Sequence, residues 1–208
     1  MSYLHDPAAI YEESFRTIRN EADLSRFSAD EKALVIRLIH ACGMVDVAEH
    51  IEISDNGVGV GMEAIASGAP IICDVNMVAK GIISRRLVAK NQILCGLNLA
   101  RAKKFATDND HTRSAGGIEA LSDDIEGAVI AIGNAPTALF HLLEMIENGI
   151  GKPAIILGFP VGFVGAVESK AELAANRFDI PFVTLLGRRG GSAFAAAAVN
   201  ALAFGLKP

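Results

Sequence analysis

The chain has 208 residues, 51% of them hydrophobic and 21% charged, with a formal net charge of −5 at pH 7. That balance suits a soluble globular enzyme forming one domain over residues 1–208, and it excludes a disordered or fibrous chain. The acidic surplus argues against a nucleic-acid partner and against an anionic membrane surface.

Cys42, Cys73 and Cys95 are odd in number and contain no CxxC pair. They point away from a disulfide framework or zinc knuckle and toward a reducing compartment, so a cytoplasmic protein is expected. The start, Met1-Ser-Tyr-Leu-His-Asp6, has no basic region leading into an apolar stretch, and no signal peptide is read there.

The N-terminal third reads as helical. Asp6 can cap a helix that carries Pro7 in its first turn. Ser28-Ala-Asp-Glu31 has the form of a capping box, and its helix is expected to run to about Ala41, with Gly43 as the stop signal. Ile51-Glu-Ile53 reads as an additional edge strand. Gly57-Val-Gly59-Val-Gly61 is GxGxG rather than GxGxxG and follows no clear five-residue strand, so it is rejected as a nucleotide fingerprint.

Beyond it, apolar runs alternate with helical stretches. The runs are Ile71–Val75, Gln92–Cys95, Ala128–Ile132, Ala154–Leu157 and Pro181–Leu186. They are continuous, as strands buried on both faces of a parallel sheet must be. The rhythm predicts a three-layer α/β/α fold with a mostly parallel, doubly wound sheet and a helical N-terminal region. The last apolar segment, Ser192 to Leu206, is alanine-rich and too short to cross a bilayer, so a buried helix is expected and no membrane.

In such a sheet, ligands bind beyond the carboxyl ends of the strands. Three of those ends are rich in glycine: Ile132–Thr137, Gly158–Gly165 and Gly187–Ser192. Asn134 suits a helix N-cap with Pro136 in the first turn. Arg188 and Arg189 pair in the third loop, just before Ser192. Any one loop has an ordinary tight turn as its alternative, but the three together favour an anionic ligand. Lys80, Arg85, Arg86 and Arg113 add positive charge in loops or at helix starts, which suits several carboxylates.

His40 lies in the last turn of an apolar helix, with Ile36 one turn earlier. A helix C-terminus favours the imidazolium, which suits a proton donor; the alternative is a ring that only bonds the last helical carbonyls. His40-Ala-Cys42 is too weak a pattern to predict a metal. Ser14, on the Ile10/Ile18 side of the first helix, can face a ligand or bond back to its own helix. Thr17 is grouped with it as a ligand contact. No GxxxxGK[ST] loop or GxSxG elbow occurs.

Several longer stretches occur together and in order: Ile10-Tyr-Glu-Glu-Ser14, Glu21–Phe27, His40-Ala-Cys-Gly43, Gly68-Ala-Pro-Ile71 with Asp74, Thr112-Arg-Ser-Ala115, Ala131–Phe140, Gly162–Ala166 with Glu168-Ser-Lys170, and Gly190-Gly-Ser-Ala193. With these the chain resembles the precorrin-8X methylmutase family over nearly its whole length. The resemblance implies an α/β homodimer and a reaction without cofactor or metal. In it a methyl group moves from C-11 to C-12 of the substrate precorrin-8X, giving hydrogenobyrinate, a step of cobalamin synthesis. It places the catalytic proton on His40, substrate binding on Ser14, and a motif near the macrocycle on Thr112, Arg113 and Ser114. Asn134, Pro136, Arg188 and Ser192 join these through the helix-terminus argument. Rival expectations are a methylmutase acting on the cobalt-loaded ring, a non-catalytic corrinoid carrier, and a nucleotide-binding α/β enzyme.

Overall fold

The computed structural model describes residues 3–204. Met1, Ser2 and the end of the Ser192–Leu206 segment lie outside the described residues.

The chain opens with α1 (Pro7–Glu21) and α2 (Ala29–Cys42). Asp6 caps α1 through the N–H of Ala8 at 3.1 Å, with Pro7 in the first turn. The capping box of α2 is complete: Glu31 accepts the N–H of Ser28 at 2.7 Å, and Ser28 Oγ accepts that of Glu31 at 3.4 Å. Such a cap stabilises a helix by about 1 kcal/mol. Gly43 ends α2 at φ 72°, a left-handed conformation that glycine adopts without strain.

Then follow β1 (Ile51–Ile53), α3 (Gly57–Ala66), β2 (Ile71–Cys73), α4 (Asn76–Gly81), β3 (Ile93–Leu94), α5 (Ala100–Asp108), α6 (Arg113–Glu119), β4 (Val129–Ile132), α7 (Pro136–Glu147), β5 (Ile155–Gly158), α8 (Ala166–Ala175), β6 (Phe182–Leu185) and α9 (Ser192–Ala203). The strands fall within or beside the apolar runs, shortened because the run ends belong to the loops. They form one sheet in the order β1-β6-β5-β4-β2-β3. The last five strands are mutually parallel, and β1 pairs antiparallel with β6 as an edge strand. Counted among themselves, the parallel strands run 2-1-3-4-5, a doubly wound order whose winding reverses between β2 and β4.

Neighbouring strand residues point to opposite layers. Ile71, Val129, Ile155 and Val183 pack with α1, α2, α3, α4 and α9. Ile72, Ile130, Ile156 and Phe182 pack with α6, α7 and α8. This is why the runs are apolar at every position.

Gly57 and Gly61 serve close packing at the start of α3. A Cβ on Gly61 would lie 2.8 Å from Leu202 Cδ1, and one on Gly57 would lie 3.1 Å from the Phe182 carbonyl. The apolar helix α9 is covered by its own chain, packed on α2, α3, α4 and the sheet. Asn200, the polar residue in its interior turns, accepts the N–H of Ile83 at 2.8 Å and donates to the Gly81 carbonyl at 3.0 Å.

Candidate functional site

The winding reversal between β2 and β4 is where a doubly wound sheet opens its crevice. Here the crevice is filled from within. Asp74, 1% exposed at the end of β2, accepts the N–H groups of Gly133, Asn134 and Ala135 at 3.0, 2.9 and 2.9 Å. Burial pushes its pKa up, and these N–H bonds pull against that shift. Two expectations are corrected. The N–H groups of the β4 loop are not open to an external anion, because a carboxylate of the chain already occupies them. The N-cap of α7 is Ala135, not Asn134, whose side chain is exposed; Pro136 does take the first helical position.

The loops after β5 and β6 are stapled together. Gly162 donates its N–H to Arg188 O at 3.2 Å, and Gly191 donates to Phe159 O at 2.8 Å. A Cβ at Gly190 would come within 2.4 Å of the Phe159 carbonyl oxygen, so only glycine allows this approach. Lys170, buried in α8, donates from Nζ to Arg189 O at 2.6 Å, and burial pulls its pKa down to about 8. The paired arginines part company. Arg189 is held by Asp46 at 2.6 Å, while the exposed Arg188 lies over the Phe163 ring at 5.3 Å. Ser192 begins α9, which no side chain caps.

Thr112 caps α6 by accepting the N–H of Ala115 at 3.2 Å, and its hydroxyl meets that of Thr137 at 2.7 Å. The Arg113 guanidinium donates to Leu97 O and Asn98 Oδ1, both at 3.1 Å. Ser114, next in the chain, is buried. Gly133 abuts the backbone of Ser192, where an added Cβ would sit 2.7 Å from Ser192 Cα. The 112–114, 133–137 and 187–192 segments are thus brought together along the carboxyl ends of the strands.

Arg189 ties this cluster to the chain just beyond α2, its Nη1 touching Met44 Sδ at 4.0 Å, and His40 lies in the last turn of α2. The imidazole is exposed, Ile36 one turn earlier is buried, and two aromatic rings of α1 stand beside it. The Tyr11 ring lies 5.4 Å away and the Phe15 ring 5.3 Å, edge-on. Ser14 and Thr17 are half-buried on the same helix.

Tyr11 and Phe15 also line a cleft of about 830 Å³, with Arg19, Arg37, Arg85, Arg86 and Phe204. Arg37 lies over the Phe15 and Phe204 rings at 5.5 and 4.9 Å, and burial pulls its pKa down from its usual value. Arg86 stacks on Phe204 at 4.7 Å. His40, Ser14, Thr17 and the 112–114, 133–137 and 187–192 segments are not among the residues lining this cleft. Arg85 and Arg86 were legible as loop cations, but Arg19 and Arg37 were missed. The signal for Arg19 was the Tyr11/Phe15/Arg19 spacing, which puts all three on one face of α1, whereas Arg37 comes from α2.

Burial pushes the Cys42, Cys73 and Cys95 thiols up, so none is set up as a nucleophile.

Winding, layers and the polar loops gathered at the carboxyl ends place the molecule among the doubly wound α/β proteins. A family model described as precorrin-8X methylmutase matches residues 9–204. A precorrin-8X methylmutase of Pseudomonas aeruginosa is 54% identical, covering 98% of each chain. One from a Sinorhizobium species is 51% identical, over 97% of this chain and 96% of that one. A cobalt-precorrin-8 methylmutase of Priestia megaterium is 34% identical, over 94% and 87%. Among solved structures, the precorrin-8X methylmutase of Thermus thermophilus superposes with a TM-score of 0.85 at 35% identity, covering 94% of each chain. The chain belongs to the precorrin-8X methylmutase family, whose members are isomerases.

Proposed function

We propose that the chain isomerises precorrin-8X to hydrogenobyrinate by moving the C-11 methyl group to C-12, with His40 as the proton donor. The observation that carries this reading is the placement of His40. It stands exposed beside two aromatic rings that also wall an arginine-lined cleft. A flat apolar macrocycle fringed with carboxylates calls for that combination of ring faces, cations and one placed acid. The imidazolium protonates a ring nitrogen. The positive charge draws electron density from the migrating centre, the methyl group moves within the molecule, and the proton then returns. Substrate and product are isomers, so the balance requires no co-reactant.

Ser14, Thr17, Thr112, Arg113, Arg188 and Ser192 are assigned to substrate binding, with Asn134 through its exposed side chain rather than its N–H and Pro136 as the rigid first residue of α7 beside it. Ser114, in the first turn of α6 beside Thr112 and Arg113, is assigned to substrate binding with them. The chain works as one domain over residues 1–208, in the cytoplasm, as a homodimer. Burial of α9 within its own chain removes one argument for the dimer. The exposed apolar tip at Val161, Phe163 and Val164 supplies another.

The metal-free ring is preferred over the cobalt-loaded one. Relatives named for precorrin-8X are 54% and 51% identical, against 34% for the cobalt-precorrin-8 methylmutase of Priestia megaterium. The test is turnover of each substrate by the purified chain, followed by the change in its absorption spectrum. Product from metal-free precorrin-8X supports the proposal. Product from the cobalt-loaded ring alone assigns the other substrate. Tight hydrogenobyrinate binding with no turnover of either assigns a carrier.

A further inference from the structure

On the opposite layer of the sheet from α2 and His40, two histidines and two carboxylates meet that the methyl shift does not use. His141 and Glu144 stand one turn apart on α7, Glu119 ends α6, and His111 lies in the turn before it. One nitrogen of each imidazole and one oxygen of Glu144 all lie within 4.8 Å of one another. We propose that His111, His141 and Glu144 form a binding site for a zinc-class divalent cation, with Glu119 orienting His141.

The tautomer of His141 is the first support. Its Nε2 lies 2.8 Å from Glu119 Oε2. An ionised carboxylate only accepts, so Nε2 donates and the lone pair of the neutral ring falls on Nδ1. Nδ1 is buried and has no hydrogen-bond partner among the described residues. A buried polar atom left without a partner calls for one. A carboxylate accepting one imidazole N–H while the other nitrogen faces the cluster is the outer-shell arrangement of zinc-bound histidines.

Size is the second. Zinc bonds to nitrogen and oxygen of about 2.0–2.2 Å put tetrahedral ligand atoms about 3.3 Å apart. His141 Nδ1 and Glu144 Oε2 are already 3.8 Å apart, and the Glu144 side chain is 63% exposed and can rotate inward. Three protein ligands leave a fourth position to water. Phe105 walls the cluster, its ring 5.1 Å from that of His141 and 5.9 Å from that of His111. His111 Nδ1 accepts the neighbouring Thr112 N–H at 3.2 Å, an exposed contact that ligation replaces. A bound ion would join the 109–112 turn to α7 and so brace the start of α6, which carries Thr112 and Arg113.

The test is direct metal binding by the full chain. After chelation and dialysis against Zn²⁺, elemental analysis is expected to find one ion per chain. Co²⁺ used as the probe is expected to give visible d–d bands. His111→Ala and Glu144→Ala, both at accessible positions, are expected to weaken binding at least tenfold. Glu119→Gln is expected to weaken it by about 10- to 100-fold, the usual effect of losing an outer-shell carboxylate. Circular dichroism checks that each variant folds. Absence of stoichiometric binding overturns the proposal. So does binding that survives both His111→Ala and Glu144→Ala, or that disappears only when His40 or His50 is replaced.

Discussion

The Asp74 carboxylate accepts the N–H of Asn134 at 2.9 Å across the point where the winding of the sheet reverses. With the parallel bonds from Gly133 and Ala135, it ties the end of β2 to the loop that starts α7. Asn at this position offers one acceptor and turns an N–H donor toward other N–H groups. Asp74→Asn is therefore expected to destabilise the fold by about 2–3 kcal/mol, the scale of losing charge-assisted bonds and leaving buried donors unpaired. Urea unfolding of the two proteins measures this, and equal midpoints would mean that the clamp is dispensable.

Gly133 holds the neighbouring close approach. An added Cβ would meet Ser192 Cα at 2.7 Å and Val78 Cγ2 at 2.8 Å, and the first of these is backbone. Gly133→Ala is expected to cost about 1–3 kcal/mol, the range for overpacking, and to displace the start of α9. Thermal unfolding checks the cost; an unchanged melting temperature would mean that α9 yields without strain.

Lys170 makes stability depend on alkaline pH. Burial lowers its pKa from 10.5 to about 8. Between those values the unfolded chain holds the proton and the folded chain does not, so stability rises as pH rises through this window. The gain is at most about 3 kcal/mol by linkage. In Lys170→Met the rise is expected to flatten relative to wild type, as read by denaturant midpoints from pH 7.5 to 10.5. Parallel curves for the two proteins would assign the slope to other groups.

The sheet was legible because burial on both faces leaves a continuous apolar run, and Ile71, Ile130 and Ile156 each sit in one. The α2 boundaries were legible because Ser28, Glu31 and Gly43 act through local hydrogen bonds and local φ. Asp74 was not, since a carboxylate after an apolar run gives no sign of three N–H partners about sixty residues away. The cleft was missed for the same reason: Arg19, Arg37, Arg86 and Phe204 come from four separate segments. His111 and His141 meet only because α6 packs on α7. Local pattern carries elements and caps; constellations made by tertiary contact lie beyond it.

Arg113 is anchored before any ligand arrives, by Leu97 O and Asn98 Oδ1 at 3.1 Å. A preplaced guanidinium holds a carboxylate equally in ground and transition states. Arg113→Ala is expected to raise KM about tenfold or more with kcat nearly unchanged, as loss of uniform binding does. Steady-state kinetics decides, and a collapsed kcat at normal KM would give Arg113 a chemical role.

His40 separates the chemistry from the scaffold. Its ring is exposed and meets the Tyr11 and Phe15 rings of α1, while Leu34, Val35, Leu38 and Ile39 are buried in the core. Removing the imidazole therefore opens no core cavity, and His40→Ala is expected to fold and to bind hydrogenobyrinate nearly as wild type does. The transition state differs from the bound substrate in its need for positive charge at the ring nitrogen, so loss of the donor falls on the barrier rather than on binding. Turnover is expected to drop by about a hundredfold or more, the scale of general acid catalysis. Single-turnover kinetics on the folded variant reads this directly. A rate equal to wild type would remove His40 from the reaction and leave the ring as a spacer between two helices.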